Sequence, residues 1–125
     1  MLLKPTHTCF DDVLDFFAGL TDPKARDLHV VVHGICVLPD GSRIAHAWLE
    51  RTDVEFVIEG MLLGPTKVYH AIPRATFHER WTVERCTRYT LAEAIAQNAA
   101  HDHFGPWDPE YAALCTPRSG LGELL

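Results

Sequence analysis

Cys9 opens the stretch CFDDVLDFFAGL, His46 lies in RIAHAWLE, and Asp53, Glu55 and Glu59 follow in DVEFVIEG at every second position but one. These residue types can together make a reactive thiol. A carboxylate holds an imidazole in one tautomer and strengthens it as a base, and the imidazole takes the proton from sulfur. Cys9 also stands at the first position of a predicted helix, where unpaired N–H groups and the positive end of the macrodipole favour thiolate. Asp11 and Asp12 oppose that effect. A helix terminus contributes only about 0.3 to 1 kcal/mol at an exposed site, so a protonated His46 has to supply the rest.

The elements that must hold these residues are legible in the periodicity. Phe10, Val13, Leu14 and Phe17 fall at i, i+3, i+4 and i+7, one apolar stripe along a helix over residues 8–20 with Thr8 as N-cap and Gly19 near its end. TDPKARD (21–27) reads as a loop. LHVVVHGICVL (28–38) is a buried strand, and Asp40-Gly41 marks a tight hairpin that returns as RIAHAWLE. ERTD turns into a third strand, VEFVIEG, and MLLGP is a loop before a fourth, TKVYHAI (66–72). PRATFHERW is a short helical connector from Pro73, and VERCTRY (83–89) a fifth strand. Thr90 and Glu93 form a capping box ahead of a helix over 91–101; HDHFGPWDPE breaks it, and PEYAALC adds a helical turn or two before a frayed Gly-rich tail. The order predicts a single α+β domain over residues 1–125. An N-terminal helix packs on an antiparallel sheet of about five strands, further helices follow at the C-terminus, and the helices cover one face.

Cross-strand partners point to the same side of a sheet, so the turns decide which side chains meet. With Asp40 and Gly41 as a two-residue turn, His33 opposes Trp48 and His46 opposes Ile35, which places His29, His33, His46 and Trp48 on one face. In the next hairpin, a two-residue turn at Arg51-Thr52 leaves Glu55 and Glu59 diagonal to His46. A four-residue turn sets His46 opposite Glu59. Val54, Phe56 and Ile58 then face the core. The same pattern also describes a half-exposed ribbon with His and Glu on its wet side.

With 125 residues, 47% apolar and 22% charged, the chain can bury one core without a disulfide or a metal. A net charge of -6 argues against a phosphate-binding face, so DNA and RNA are not expected partners. Cys9, Cys36, Cys86 and Cys115 form no CxxC pair. MLLKPTHTCF lacks the apolar stretch of a signal peptide, and no run of about 18 apolar residues occurs; together these predict a cytoplasmic protein with reduced thiols and no membrane partner.

HTCF, VVHG, HAWLE and HFGPW resemble the landmarks of a family of small bacterial and phage proteins marked by HAWVE and HYGPW sequences, and the likeness spans nearly the whole chain. More distantly, a cysteine at a helix start, a histidine on a strand and an acid on the next strand are similar to papain-like and transglutaminase-like cores. That resemblance implies a cysteine hydrolase or acyltransferase acting on an amide, peptide or isopeptide bond through a thioester. It makes Cys9 the nucleophile, His46 the general base and acid, and Glu59 the orienting acid, with Glu55 in reserve. The chain departs from the pattern in having Glu where Asp or Asn is usual, no aromatic residue just before Cys9 and no upstream Gln as oxyanion donor. Backbone N–H groups of Cys9 and Phe10 can fill that last role.

In HDHFGPWDP, Phe104 and Trp107 can wall a pocket, with His103 beside His46 and with His33 and Trp48 completing it. Two other readings fit the same residues. His33, His46, His103 and Glu59 make a three-His-one-carboxylate metal set, and Trp48, Trp81 and Trp107 can serve a binding module without catalysis. The thiol reading calls for no cofactor, and its partner is a protein, peptide or other amide substrate.

Overall fold

The computed structural model describes residues 3–5 and 8–115. The elements run β1 (Leu3–Pro5), α1 (Cys9–Ala18), α2 (Pro23–Leu28), β2 (His29–Val37), β3 (Arg43–Arg51), β4 (Phe56–Leu63), β5 (Thr66–Pro73), α3 (Arg74–Arg80), β6 (Thr82–Tyr89), α4 (Leu91–His101) and α5 (Pro109–Cys115). The protein is α+β, as the pattern predicts. The five predicted strands are joined by a short sixth, β1, in one antiparallel sheet of order β1-β4-β3-β2-β6, with β5 also paired to β4. The Gly-rich tail lies outside the described residues. Among those described, no helix is long and apolar enough to cross a membrane.

One break in this sheet matters for everything that follows. β2 and β3 pair along their whole length, from His29↔Arg51 to Val37↔Arg43, whereas β3 and β4 pair only at Leu49↔Ile58 and Glu50↔Val57. Past Ile58, β1 takes over beside β4, with Pro5 opposite Met61. The chain leaves β1 at Pro5 and starts α1 at Cys9, so the helix begins where β3 and β4 have parted. Gly60 permits this approach: a Cβ there would lie 2.6 Å from Asp12 Oδ2.

The apolar stripe of α1 is buried as expected, with Phe10, Val13, Leu14 and Phe17 at 8% exposure or less. Burying a side chain of this size stabilises by roughly 1.5–3 kcal/mol. The stripe meets Val31, Ala47 and Leu49 from the sheet, Ala94 from α4 and Trp107. A second cluster, Val32, Cys36, Ile44, Trp48 and Val57 with Phe77 and Trp81, fills the opposite face. Helices therefore cover both faces, because Phe77 anchors α3 where a mere connector was expected.

Four local expectations are corrected. Residues 23–28 are helical, since Asp22 caps the helix through Lys24 N–H and Pro23 suits its first position. Met61, Leu62 and Leu63 continue β4 instead of looping. Leu38 N–H bonds Ser42 O, so the first hairpin turns on three residues, with Gly41 at φ +87°. That shifts the β2–β3 register by one: His33 faces Ala47, and Gly34 faces His46. The β3–β4 turn is longer than either expected form, leaving Val54 and Phe56 exposed and Val57 and Met61 in the core.

Candidate active site

Cys9 is the first residue of α1, with Thr8 at the N-cap. Thr8 makes no side-chain cap bond; its hydroxyl donates to Asp12 Oδ1 at 3.0 Å. The first-turn N–H groups, which no helix can satisfy internally, are thus left uncapped by Thr8. The Cys9 thiol lies near enough to the His46 ring to raise its pKa. His46 belongs to the opposite face of the sheet, beside Trp48 and Trp81. Sulfur and ring meet because the ladder is open between β3 and β4.

His46 Nε2 lies 2.9 Å from Glu59 Oε2. With Nε2 so engaged, Nδ1 is the nitrogen left to exchange a proton with sulfur. Cys9, His46 and Glu59 are all buried, at 7%, 3% and 1% exposure. Burial opposes a charge on His46, but its bonds to Cys9 and Glu59 outweigh that and push its pKa up to about 9. Burial likewise works against the Glu59 carboxylate, and His46, Arg80 and His70 hold it below the usual carboxylate range all the same.

Asp12, expected to oppose a thiolate, is fully buried, and Lys67 Nζ bonds its Oδ1 at 2.7 Å. Cys36 lies deep in the sheet, where burial first, and then the proximity of Cys9 and Glu59, push its thiol up to about 12. It stays a protonated neighbour.

The remaining candidates separate. Glu55 is exposed in the β3–β4 turn, away from His46, so it does not compete with Glu59. Trp48 does wall the site: its ring lies 5.7 Å from His46, and its Nε1 donates to Glu50 at 2.9 Å. His33 stands on the other face, packed by Phe10, Trp107 and Tyr89 at 4.6, 4.8 and 5.2 Å. Burial pushes its pKa down to about 3. Trp107 belongs to this second aromatic box and donates to His103 O at 2.8 Å, while His103 itself is exposed. Gly105 completes the box, since a Cβ there would come within 2.6 Å of the His33 ring. The four residues of the metal reading are therefore not gathered, and among the described residues no group of three or more His, Cys, Asp and Glu could hold a metal ion.

Two site residues escape sequence reasoning, His70 and Arg80, which both reach Glu59 Oε1, at 3.3 and 2.6 Å; Trp81, expected only in the binding reading, lies 4.9 Å from His46. One signal was available for His70. Taking Gly64-Pro65 as a two-residue hairpin turn pairs Leu63 with Thr66, and continuing that register sets Glu59 opposite His70, as the structure has it. No known family model, curated protein or solved structure matches this chain.

Proposed function

We propose that the protein is a cysteine-dependent hydrolase or acyltransferase of papain-like or transglutaminase-like type, acting on an amide, peptide or isopeptide bond through a thioester. The observation that carries this reading is the buried His46–Glu59 pair with the buried Cys9 thiol beside it at a helix start. In the reaction, the Cys9 thiolate attacks the carbonyl carbon and the C–N bond breaks. The His46 imidazolium gives its proton to the departing amine, leaving an acyl-thioester on sulfur. His46, now neutral, takes a proton from water or an acceptor amine, which attacks the thioester and restores the thiol. Uncapped N–H groups at Cys9 and Phe10 are the natural donors to the oxyanion.

Iodoacetamide tests the reading in a protein with four cysteines if alkylation is followed peptide by peptide. Cys9 should react fast well below pH 8, and His46→Ala should slow it by at least tenfold at pH 6. Alkylation at Cys9 that rises only near the ordinary thiol pKa of about 8.5, unchanged in His46→Ala, would leave a binding module on the same framework.

A further inference from the structure

We propose that Arg80 sets the pH range over which the Cys9–His46 pair holds its charges, acting through the far oxygen of Glu59. The inference rests on the thiol reading above and names the residue that tunes it. The Glu59 carboxylate divides its work: Oε2 meets His46 Nε2 at 2.9 Å, while Oε1 accepts from Arg80 Nη1 at 2.6 Å and contacts His70 Nε2 at 3.3 Å. Glu59 itself is buried, whereas the Arg80 side chain, closing α3, is 36% exposed and keeps one side in water. The guanidinium can therefore carry its charge cheaply and spend it on a buried acid.

A carboxylate that met His46 alone would hold the imidazolium with its whole charge, and such a proton returns reluctantly to a departing amine. The guanidinium draws off part of that field and leaves the geometry of Oε2 untouched. Other groups face the same centre from each packed element. Asp12 on α1 is bonded to Lys67 on β5, Cys36 on β2 stays protonated, and His70 stands opposite Glu59 on β5. Arg80 is the group bonded to Glu59 whose charge persists across the whole working range. It is a positioning residue for charge, with no contact to sulfur invoked.

The sign of the effect separates this role from simple support. A lost positive charge makes thiolate harder to form and imidazolium harder to lose, so both midpoints move up together. A lost prop for Glu59 weakens the pair, so the thiolate midpoint rises while the imidazolium midpoint falls. The test uses the full chain, with Cys9 alkylation by iodoacetamide for the first midpoint and NMR titration of His46 for the second. In Arg80→Gln both should rise by on the order of one pH unit, the size of one charge removed at several ångströms in an effective dielectric of about 20. Arg80→Lys, which keeps the charge and loses the planar fork, should hold both near their wild-type values. Midpoints that move in opposite directions, or do not move, overturn the inference while leaving the thiol reading standing. A wild-type Cys9 that alkylates as an ordinary thiol and ignores His46→Ala removes both together.

Discussion

Glu59 carries more of this site than its one carboxylate suggests. It is fully surrounded, with His46, His70 and Arg80 on its two oxygens, and every one of those contacts depends on its charge. Glu59→Gln keeps the volume and one acceptor oxygen but removes that charge, which leaves Cys9 alone to oppose burial at His46. The expected result is a His46 pKa falling from about 9 toward its ordinary 6.5, seen by NMR titration, with Cys9 alkylation at pH 7 slowed at least tenfold. Breaking a buried pair also destabilises, here by about 3 kcal/mol in urea unfolding at pH 7. A variant whose His46 still titrates near the wild-type value would show that Cys9 alone charges the ring. Glu50 offers the contrast. It is nearly as buried and receives Trp48 Nε1 and Arg88, but it meets no imidazole, so Glu50→Gln should cost stability and leave the Cys9 pH profile unchanged.

At the scale of elements, the contact between α1 and β4 aims the thiol. Gly60 lies under the first turn of α1, and an added Cβ would sit 2.6 Å from Asp12 Oδ2 and 3.1 Å from Asp12 Cβ. Asp12 has little freedom to yield, because Thr8 and Lys67 hold it. Gly60→Ala should therefore lift the start of α1, costing about 1–3 kcal/mol in a thermal or urea melt and slowing Cys9 alkylation with little change in circular dichroism. Normal Cys9 reactivity in that variant would mean that the helix start is placed by β1 instead. Much of this layer was legible beforehand. The α1 stripe and the Thr90–Glu93 capping box follow from local spacing and are present; His46 and Glu59 do meet, but through a longer β3–β4 turn than either register expected. What failed was turn length. A single residue more in the first hairpin moved His33 to the other face, since side chains alternate with a period of two. Arg80, and the placing of Trp81 beside His46, were invisible for a different reason: both depend on α3, whose docking depends on Phe77 finding the second core, a tertiary event with no local signature. The Cys9–His46 contact likewise needed the parting of β3 and β4, which no pattern within either strand announces.

On the scale of the whole molecule, two buried histidines on opposite faces of one sheet set opposite limits on stability. His33 is held neutral, its pKa down at about 3 against 6.5 in the unfolded chain. Between those values the unfolded chain takes a proton that the folded one refuses, so the stability this residue preserves above pH 6.5 is lost as pH falls. His46 runs the other way. Its folded pKa of about 9 exceeds 6.5, so its contribution is complete below pH 6.5 and is lost as pH rises through 9. The wild-type protein should thus be most stable near pH 6.5, with each limb falling by about 1 kcal/mol per pH unit at its steepest. Glu59, held below its ordinary 4.5, steepens the acid limb only further down, where it too loses its partners. The two limbs can be cut apart. Neither ring nitrogen of His33 has a hydrogen-bond partner among the described residues, so His33→Leu strands no polar group and should flatten the profile between pH 6.5 and 4.5 while leaving the alkaline limb as it was. Cys9→Ala removes one of the two groups that keep His46 charged and should soften the alkaline limb alone. Urea midpoints from pH 4 to 10 for the three proteins read both effects. An acid limb in His33→Leu as steep as in the wild type would mean that the aromatic box opens to water before it titrates, and that the two faces of the sheet do not unfold as one unit.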